Sequence, residues 1–307
     1  GGSDSTHPAF IVNGVEVPEI YISKFQNVVH NGRAYSLPGE DPRTSITFDT
    51  ARQACEAKGP GWHLMTHAEW AAIALWCRKN NLMPKGNNNY GKDTSESTYI
   101  AIPNPNHQDE GRTSRVLTGT GPVTWSHNGE LNGIWDLNGN VWEWCGGYRT
   151  LGGEIHILPN NNAADPNNSQ SASSELWRAI LENGSLVDPN TDGTLKWDFV
   201  DGKITLCKTI TNQADASRST EFKNLAVAPE VSTVPEILKA LALFPADNGD
   251  HGGDYFYMNN GAGLERLAYR GGSWLNGARA GVFALNGSSR SGSDTNFGFR
   301  SAFIPGI

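Results

Sequence analysis

The sequence predicts an α+β domain, rich in loops, in which small antiparallel strands and two core helices pack around large aromatic side chains and carry one large insertion. Three observations carry that expectation. Ten tryptophans and 35 glycines stand beside only 18% charged residues, a composition that favours tight turns against aromatic plates over long regular elements. Two segments place apolar residues at helical spacing, and a third alternates aromatics with polar and turn residues. All 307 residues read as a single domain, because no Pro- or Ser-rich linker separates halves of different composition.

Taken in order, Phe10 to Tyr21 alternates loosely between apolar and polar residues. Val15, Val17, Ile20 and Ile22 predict a short strand pair, turned at Asn13-Gly14, that opens the sheet. Thr47 to Lys58 reads as a helix, with Ala51, Ala54, Cys55 and Lys58 on one side and Gly59-Pro60 ending it. A better marked helix follows. Thr66 and Glu69 stand three apart, so the hydroxyl can accept from the Glu69 amide while the carboxylate returns to the cap. Trp70, Ile73, Ala74 and Cys77 then form one apolar stripe that must be buried. Asn87 to Gly121, rich in Asn, Gly, Ser and Pro without periodicity, predicts a surface loop. Gly133 to Trp144 alternates aromatics and aliphatics with turn residues and predicts a turn feeding a core strand.

Residues 151–254 differ in character, with Asn- and Asp-rich patches. They predict a helix near Ser174 to Glu182, another at Val234 to Phe244, and a hairpin in which Leu195–Val200 and Lys203–Cys207 flank Asp201-Gly202. This segment reads as an insertion with its own small core.

Net charge is −8 and the sequence pI is about 5.5, and Lys and Arg form no cluster that could neutralise consecutive phosphates, which argues against a nucleic-acid partner. No apolar run is long enough to cross a bilayer, so membrane insertion is not expected. Cys55, Cys77, Cys145 and Cys207 lack C-x-x-C spacing and read as small core residues. The opening Gly1-Gly2-Ser3, without an initiator Met, reads as a cloning remnant, and any signal or upstream domain is left open.

Three blocks in order carry a resemblance: Trp62-His63-Leu64-Met65-Thr66-His67-Ala68-Glu69-Trp70, then Asn138-Gly139-Asn140-Val141-Trp142-Glu143-Trp144, then Arg270-Gly271-Gly272-Ser273-Trp274 through Gly298-Phe299-Arg300. Together they resemble the C-type-lectin-like fold shared by formylglycine-generating enzymes and the variable proteins of diversity-generating retroelements. The resemblance leaves the insertion out. It implies that Gly271, Gly272, Trp274, Phe299 and Arg300 are scaffold, since paired glycines permit backbone closed to other residues and a guanidinium can hold carbonyls or a carboxylate.

The enzymatic branch of that family works through cysteines in its C-terminal block, where a thiolate binds copper or attacks disulfides. Arg270 to Ile307 has no Cys and no His, and Asp294 is its sole carboxylate, so formylglycine chemistry is not expected. The alternative, a metal-dependent oxidase or sulfoxide synthase, rests on His63-x-x-x-His67-x-Glu69, a spacing similar to the iron site of sulfoxide synthases. Positions two apart on a helix point roughly 200° from one another, and His63 precedes the helix, so the three should not converge on one metal. Asp188, Asn190 and Asp192, followed by Gly193, match the first half of a calcium loop, but Phe199 stands where the bidentate carboxylate belongs. A turn is the expectation there, as at Asp247-Asn248-Gly249-Asp250; a structural calcium at Asp188, Asn190 and Asp192 is the alternative, and no other cofactor is expected. No serine stands in a nucleophile-elbow context.

In the retroelement branch, template adenines are copied with error, so Asn codons change into many residues but never into Lys, Glu, Gln, Met or Trp. Arg270 to Ile307 contains no Lys, Glu, Gln or Met, and its one Trp is the motif residue. Between residues of scaffold character lie Ser273, Leu275, Arg279, Asn286, Ser288, Ser289, Ser291, Asp294 and Asn296, each reachable from an Asn codon. The resemblance implies that these nine form an exposed, variable binding face within 270–303, for a protein or glycan ligand on a cell surface. It also implies display on a phage virion or a bacterial cell surface. Small polar residues suit such an adaptable surface. The block offers no aromatic anchor apart from Trp274.

Overall fold

The computed structural model describes residues 5–307; Gly1 to Ser3 lie outside the described residues. At Asn13-Gly14 both residues take positive φ, 49° and 79°, as a two-residue hairpin turn requires. The turn joins β1 (Ile11–Val12) to β2 (Val15–Glu16) in a sheet of their own. The predicted pair is there, but it does not open the main sheet. β3 (Tyr21–Ile22) leads into the hairpin of β4 (Val28–His30) and β5 (Arg33–Tyr35).

α1 (Phe48–Glu56) starts where the Thr47 hydroxyl accepts from the Thr50 amide, and it buries Phe48, Ala51, Ala54 and Cys55. β6 (Trp62–Leu64) precedes α2 (His67–Lys79). The expected capping box is present: the Glu69 amide donates to Thr66 Oγ1 at 3.1 Å and the Thr66 amide to Glu69 Oε2 at 2.9 Å. Trp70, Ala74 and Cys77 are buried on its inner face, and the Trp70 indole donates to the Val282 carbonyl at 2.7 Å.

Residues 87–121 are not the open surface loop that their composition predicts. Apart from a small hairpin of β7 (Gln108–Asp109) and β8 (Arg112–Thr113) they lack regular pairing, yet Asn87, Asn88, Ser114, Val116 and Thr118 are buried. Asn140 explains how: its Oδ1 accepts from Asn87 Nδ2 and from the Val116 amide, and its Nδ2 donates to Gln26 and to the Val116 carbonyl. Asparagine side chains supply the partners that strands would otherwise supply, so an irregular segment can be buried.

The rest of the chain is mostly strands: β9 (Trp142–Leu151), β10 (Glu154–Ile157), β11 (Arg178–Ile180), β12 (Leu186–Val187), β13 (Lys196–Val200), β14 (Lys203–Cys207), β15 (Arg218–Glu221) and β16 (Ala226–Val227). After the one-turn helix α3 (Glu236–Ala240) come β17 (Tyr255–Met258), β18 (Glu265–Gly271), β19 (Gly281–Ser288), β20 (Phe297–Phe299) and β21 (Ser301–Phe303). One twelve-stranded sheet runs β15-β17-β19-β18-β9-β10-β13-β14-β16, with β20 parallel to β9 and β11–β12 beside β10. β21 pairs with both β3 and β6.

Within 151–254 the hairpin at Asp201-Gly202 is as predicted, with φ of 51° and 76°. The helix expected near Ser174 to Glu182 is instead turns and β11, because Ala179 pairs with His156 of β10 and that tertiary ladder overrides a local helical pattern. The second expected helix is present but shorter, as α3. The segment has no core of its own. Trp197, Ile204, Leu206 and Phe222 share one hydrophobic cluster with Met65, Trp70 and Ala71, since β10 and β13–β14 simply extend the sheet that begins at β9.

Candidate ligand-binding face

The three sequence blocks meet in space. Arg300, fully buried, donates from Nε and Nη2 to Glu143 at 2.6 and 2.7 Å, and to the Ser23 and Trp135 carbonyls at 2.9 and 2.8 Å. Gln26 donates a further bond to the same carboxylate at 3.0 Å. The Gly139 amide donates to the Gly271 carbonyl, the Trp274 amide to that of Asn140, and the Met65 amide to that of Arg300. Gly271 and Gly272 are required: φ is 95° and 84°, and a Cβ would come within 2.7 Å of the Leu137 carbonyl or 2.4 Å of the Ala280 Cβ. Trp274 is only 2% exposed and its indole donates to Asp109 at 2.9 Å. Phe299 is fully buried. These five side chains or glycines hold the C-terminal block from beneath.

Above them, strand alternation sorts β17, β18 and β19 onto two faces. Phe256 and Leu285 pair across the parallel ladder and enter the large core. Tyr255, Tyr257, Ala284, Asn286 and Ser288 therefore point the other way. On that side rings climb from core to surface: Trp144 against Tyr269 at 5.2 Å between centroids, Tyr269 against Phe297 at 4.6 Å, Trp142 against Tyr257 at 6.2 Å, and Tyr257 against Tyr255 at 6.2 Å. The Arg279 guanidinium lies 4.5 Å over the Tyr255 ring. Burial raises the Tyr257 pKa, against the hydrogen bonds from Arg279 and Asn276 that favour its ionised form. Asn276 also accepts from the Ser273 amide and hydroxyl at 2.8 and 3.0 Å.

The nine predicted positions divide on this frame. Asn286, Ser288, Asp294, Asn296 and Arg279 surround the tyrosines and Phe297, partly or fully exposed. Leu275, 45% exposed, lies just beyond Trp274. Ser289 and Ser291 sit at the far end of β19, where with Thr47, Asp49 and Glu265 they border a shallow cavity of about 530 Å³. Arg290 between them is pinned by Glu265 at 2.9 Å, Asp49 at 3.1 Å and the Gln170 carbonyl. Ser273 corrects the expectation of exposure: it is fully buried, hydrogen-bonded to Asn276 and reached by Asn296 Nδ2 at 3.4 Å, because the positive-φ glycines before it turn its side chain inward. Sequence reasoning missed Asn276, Tyr255 and Tyr257. The alternation Tyr255-Phe256-Tyr257-Met258 after Gly252-Gly253 is the signal that could have found the tyrosines.

The candidate metal ligands have these partners. His63 Nε2 lies 2.8 Å from Glu69 Oε1, both buried. Burial works to lower the His63 pKa, but the Glu69 carboxylate outweighs it and holds it raised. His67 turns away, with Nε2 on the Leu241 carbonyl at 2.8 Å; burial, and next the Arg270 charge, push its pKa well down. Asp188 is largely exposed and pairs with Arg178 at 3.3 Å, while the Asn190 amide donates to Glu154. Among the described residues, no group of three or more His, Cys, Asp or Glu could hold a metal ion. The four cysteines are free and buried, and burial pushes the thiols of Cys77 and Cys207 up to about 12.

Comparison with curated proteins gives no match. Among solved structures, the Major Tropism Determinant P3c variant aligns over 94% of this chain and 51% of its own, at 11% identity and a TM-score of 0.35. Its U1 variant gives the same coverage and TM-score at 12% identity. Treponema denticola variable protein 1 aligns over 91% of this chain and 75% of its own, at 13% identity and a TM-score of 0.29. The chain thus spans about half the length of the first two structures. The family model for the sulfatase-modifying factor enzyme 1-like domain matches residues 8–176. With more than half of its 307 residues matched, the chain belongs to the sulfatase-modifying factor enzyme 1-like domain family.

Proposed function

We propose that this chain is a sequence-variable binding protein, not an enzyme, whose C-terminal block is diversified by a retroelement and contacts a protein or glycan on a cell surface. One observation carries the reading. Positions of the block that share no packing character, among them Asn286, Ser288 and Asp294, gather around one partly exposed sheet face, while Ala280 to Leu285 and Gly298 to Arg300, which flank them, are buried. A surface that varies on a frame that does not is what a diversifying receptor needs. Buried thiols with raised pKa values support the non-enzymatic side, since cysteine chemistry needs accessible thiolate. The reading requires no cofactor, and it places the protein on a phage virion or a bacterial surface.

Sequencing the DNA around the gene tests it. The expected outcome is a reverse transcriptase gene nearby and a near-identical repeat of the block that differs only at adenines. Flanks with neither would overturn the retroelement reading.

A further inference from the structure

The variable block supplies little aromatic surface of its own: Trp274 is buried and Phe297 is half covered by Tyr269. Tight protein interfaces nonetheless hinge on a few aromatic or Arg anchors. The face has such anchors, and they come from outside the block. Tyr255 and Tyr257 stand on β17, next to β19 in the sheet, and alternate with the buried Phe256 and Met258. Both rings remain partly open to solvent. They are held before any ligand arrives, Tyr257 against Trp142 and Tyr255 against Tyr257 and Arg279, so little rotamer freedom is left to lose on binding.

The surface around them is shallow. The two rings project from β17 with Ala284 and Asn286 of the neighbouring strand beside them, so they stand on an open sheet face and not inside an enclosing pocket. A flat, partly aromatic face rimmed by Asn, Ser, one Arg and one Asp fits the surface of a folded protein. We infer that Tyr255 and Tyr257 are fixed anchors of this face, contacting a protein ligand in every variant, while the variable positions beside them select which protein. This rests on the variable-binder reading above.

Paired display libraries test it. Leu275, Asn286, Ser288 and Asp294 are randomised in the full chain, once on the natural background and once with Tyr255→Ser and Tyr257→Ser, and both libraries are panned against lysozyme as the probe. Binders are expected from the natural background. Moving Tyr255→Ser or Tyr257→Ser into them should weaken the Kd by about tenfold or more, the loss typical of a hot-spot ring. Tyr255→Phe and Tyr257→Phe, which keep the packed ring, should retain most of the affinity, and this separates lost contact from lost fold. Binders of equal affinity from the Ser background would overturn the anchor inference and leave the variable-binder reading standing. Binders from neither library would overturn both.

Discussion

Residues 286–296 and 297–303 are neighbours along the chain and opposites in their physics. In the second segment Arg300, Ser301 and Phe299 are fully buried, and nearly every polar atom has an assigned partner: Ser301 with Ser23 and Asn27, Arg300 with Glu143 and two carbonyls. In the first segment Arg290 is tied to Glu265, Asp49 and the Gln170 carbonyl, but other side chains bond locally, as Asn286 does to the Gly287 amide and Asp294 to that of Thr295. One stretch is fixed because changing it would strand charges and donors in a low-dielectric interior. The other, Arg290 apart, is free to change because little beyond itself depends on its identity.

The sharpest way to break this contrast is at Arg300. Arg300→Leu would leave Glu143 buried without its cation and the Ser23 and Trp135 carbonyls without a donor. Removing one partner of such a buried pair costs about 3–5 kcal/mol. A shift of the urea midpoint of that size at unchanged slope is expected, and a loss below about 1 kcal/mol would place Arg300 among the dispensable surface charges.

Asp136 tests the same buried frame through pH. It is 1% exposed, takes φ of 62°, and accepts from the Gly119 amide through Oδ2, while Oδ1 has no partner among the described residues. Burial raises its pKa from 3.8 to about 6, against the Gly119 hydrogen bond and the Arg300 charge, which lower it. The folded state therefore holds this proton more tightly than the unfolded chain. The contribution to stability is complete below pH 3.8 and is lost as pH rises through about 6. Asn tolerates the left-handed backbone and carries no charge to desolvate. Asp136→Asn should gain on the natural protein by about 2–3 kcal/mol between pH 4 and 7.5. Parallel stability curves for the two proteins across that range would refute the assignment.

Much of this frame was legible in the sequence because its signals are local. Thr66 and Glu69 state a capping box within four residues, Asp201-Gly202 and Asn13-Gly14 state their turns, and the Gly271-Gly272 pair states a backbone that no other residue can follow. What was not legible depends on distant pairing. Arg178 to Ile180 is drawn into a strand by β10, the asparagines of 87–121 are buried by Asn140, and Ser273 is turned inward by its glycines and Asn276. The tyrosines of β17 were overlooked for the same reason, since nothing local tells that β17 lies beside β19.

The smallest expected effect sharpens the comparison most finely, because it contrasts residues given the same role by sequence. Leu275→Ser, Asn286→Ser and Asp294→Asn alter side chains that are partly or fully exposed, and each should change stability by no more than about 0.5 kcal/mol. Ser273→Asn, an interchange equally reachable by adenine substitution, adds volume at a fully buried site whose hydroxyl is already bonded to Asn276. Overpacking of that kind costs about 1–3 kcal/mol. Thermal melts of the four single variants separate the cases. If Ser273→Asn melts with the exposed three, Ser273 returns to the proposed variable face and the boundary between fixed and free positions moves inward. If Asn286→Ser melts with Ser273→Asn, the sheet face around the tyrosines belongs to the frame.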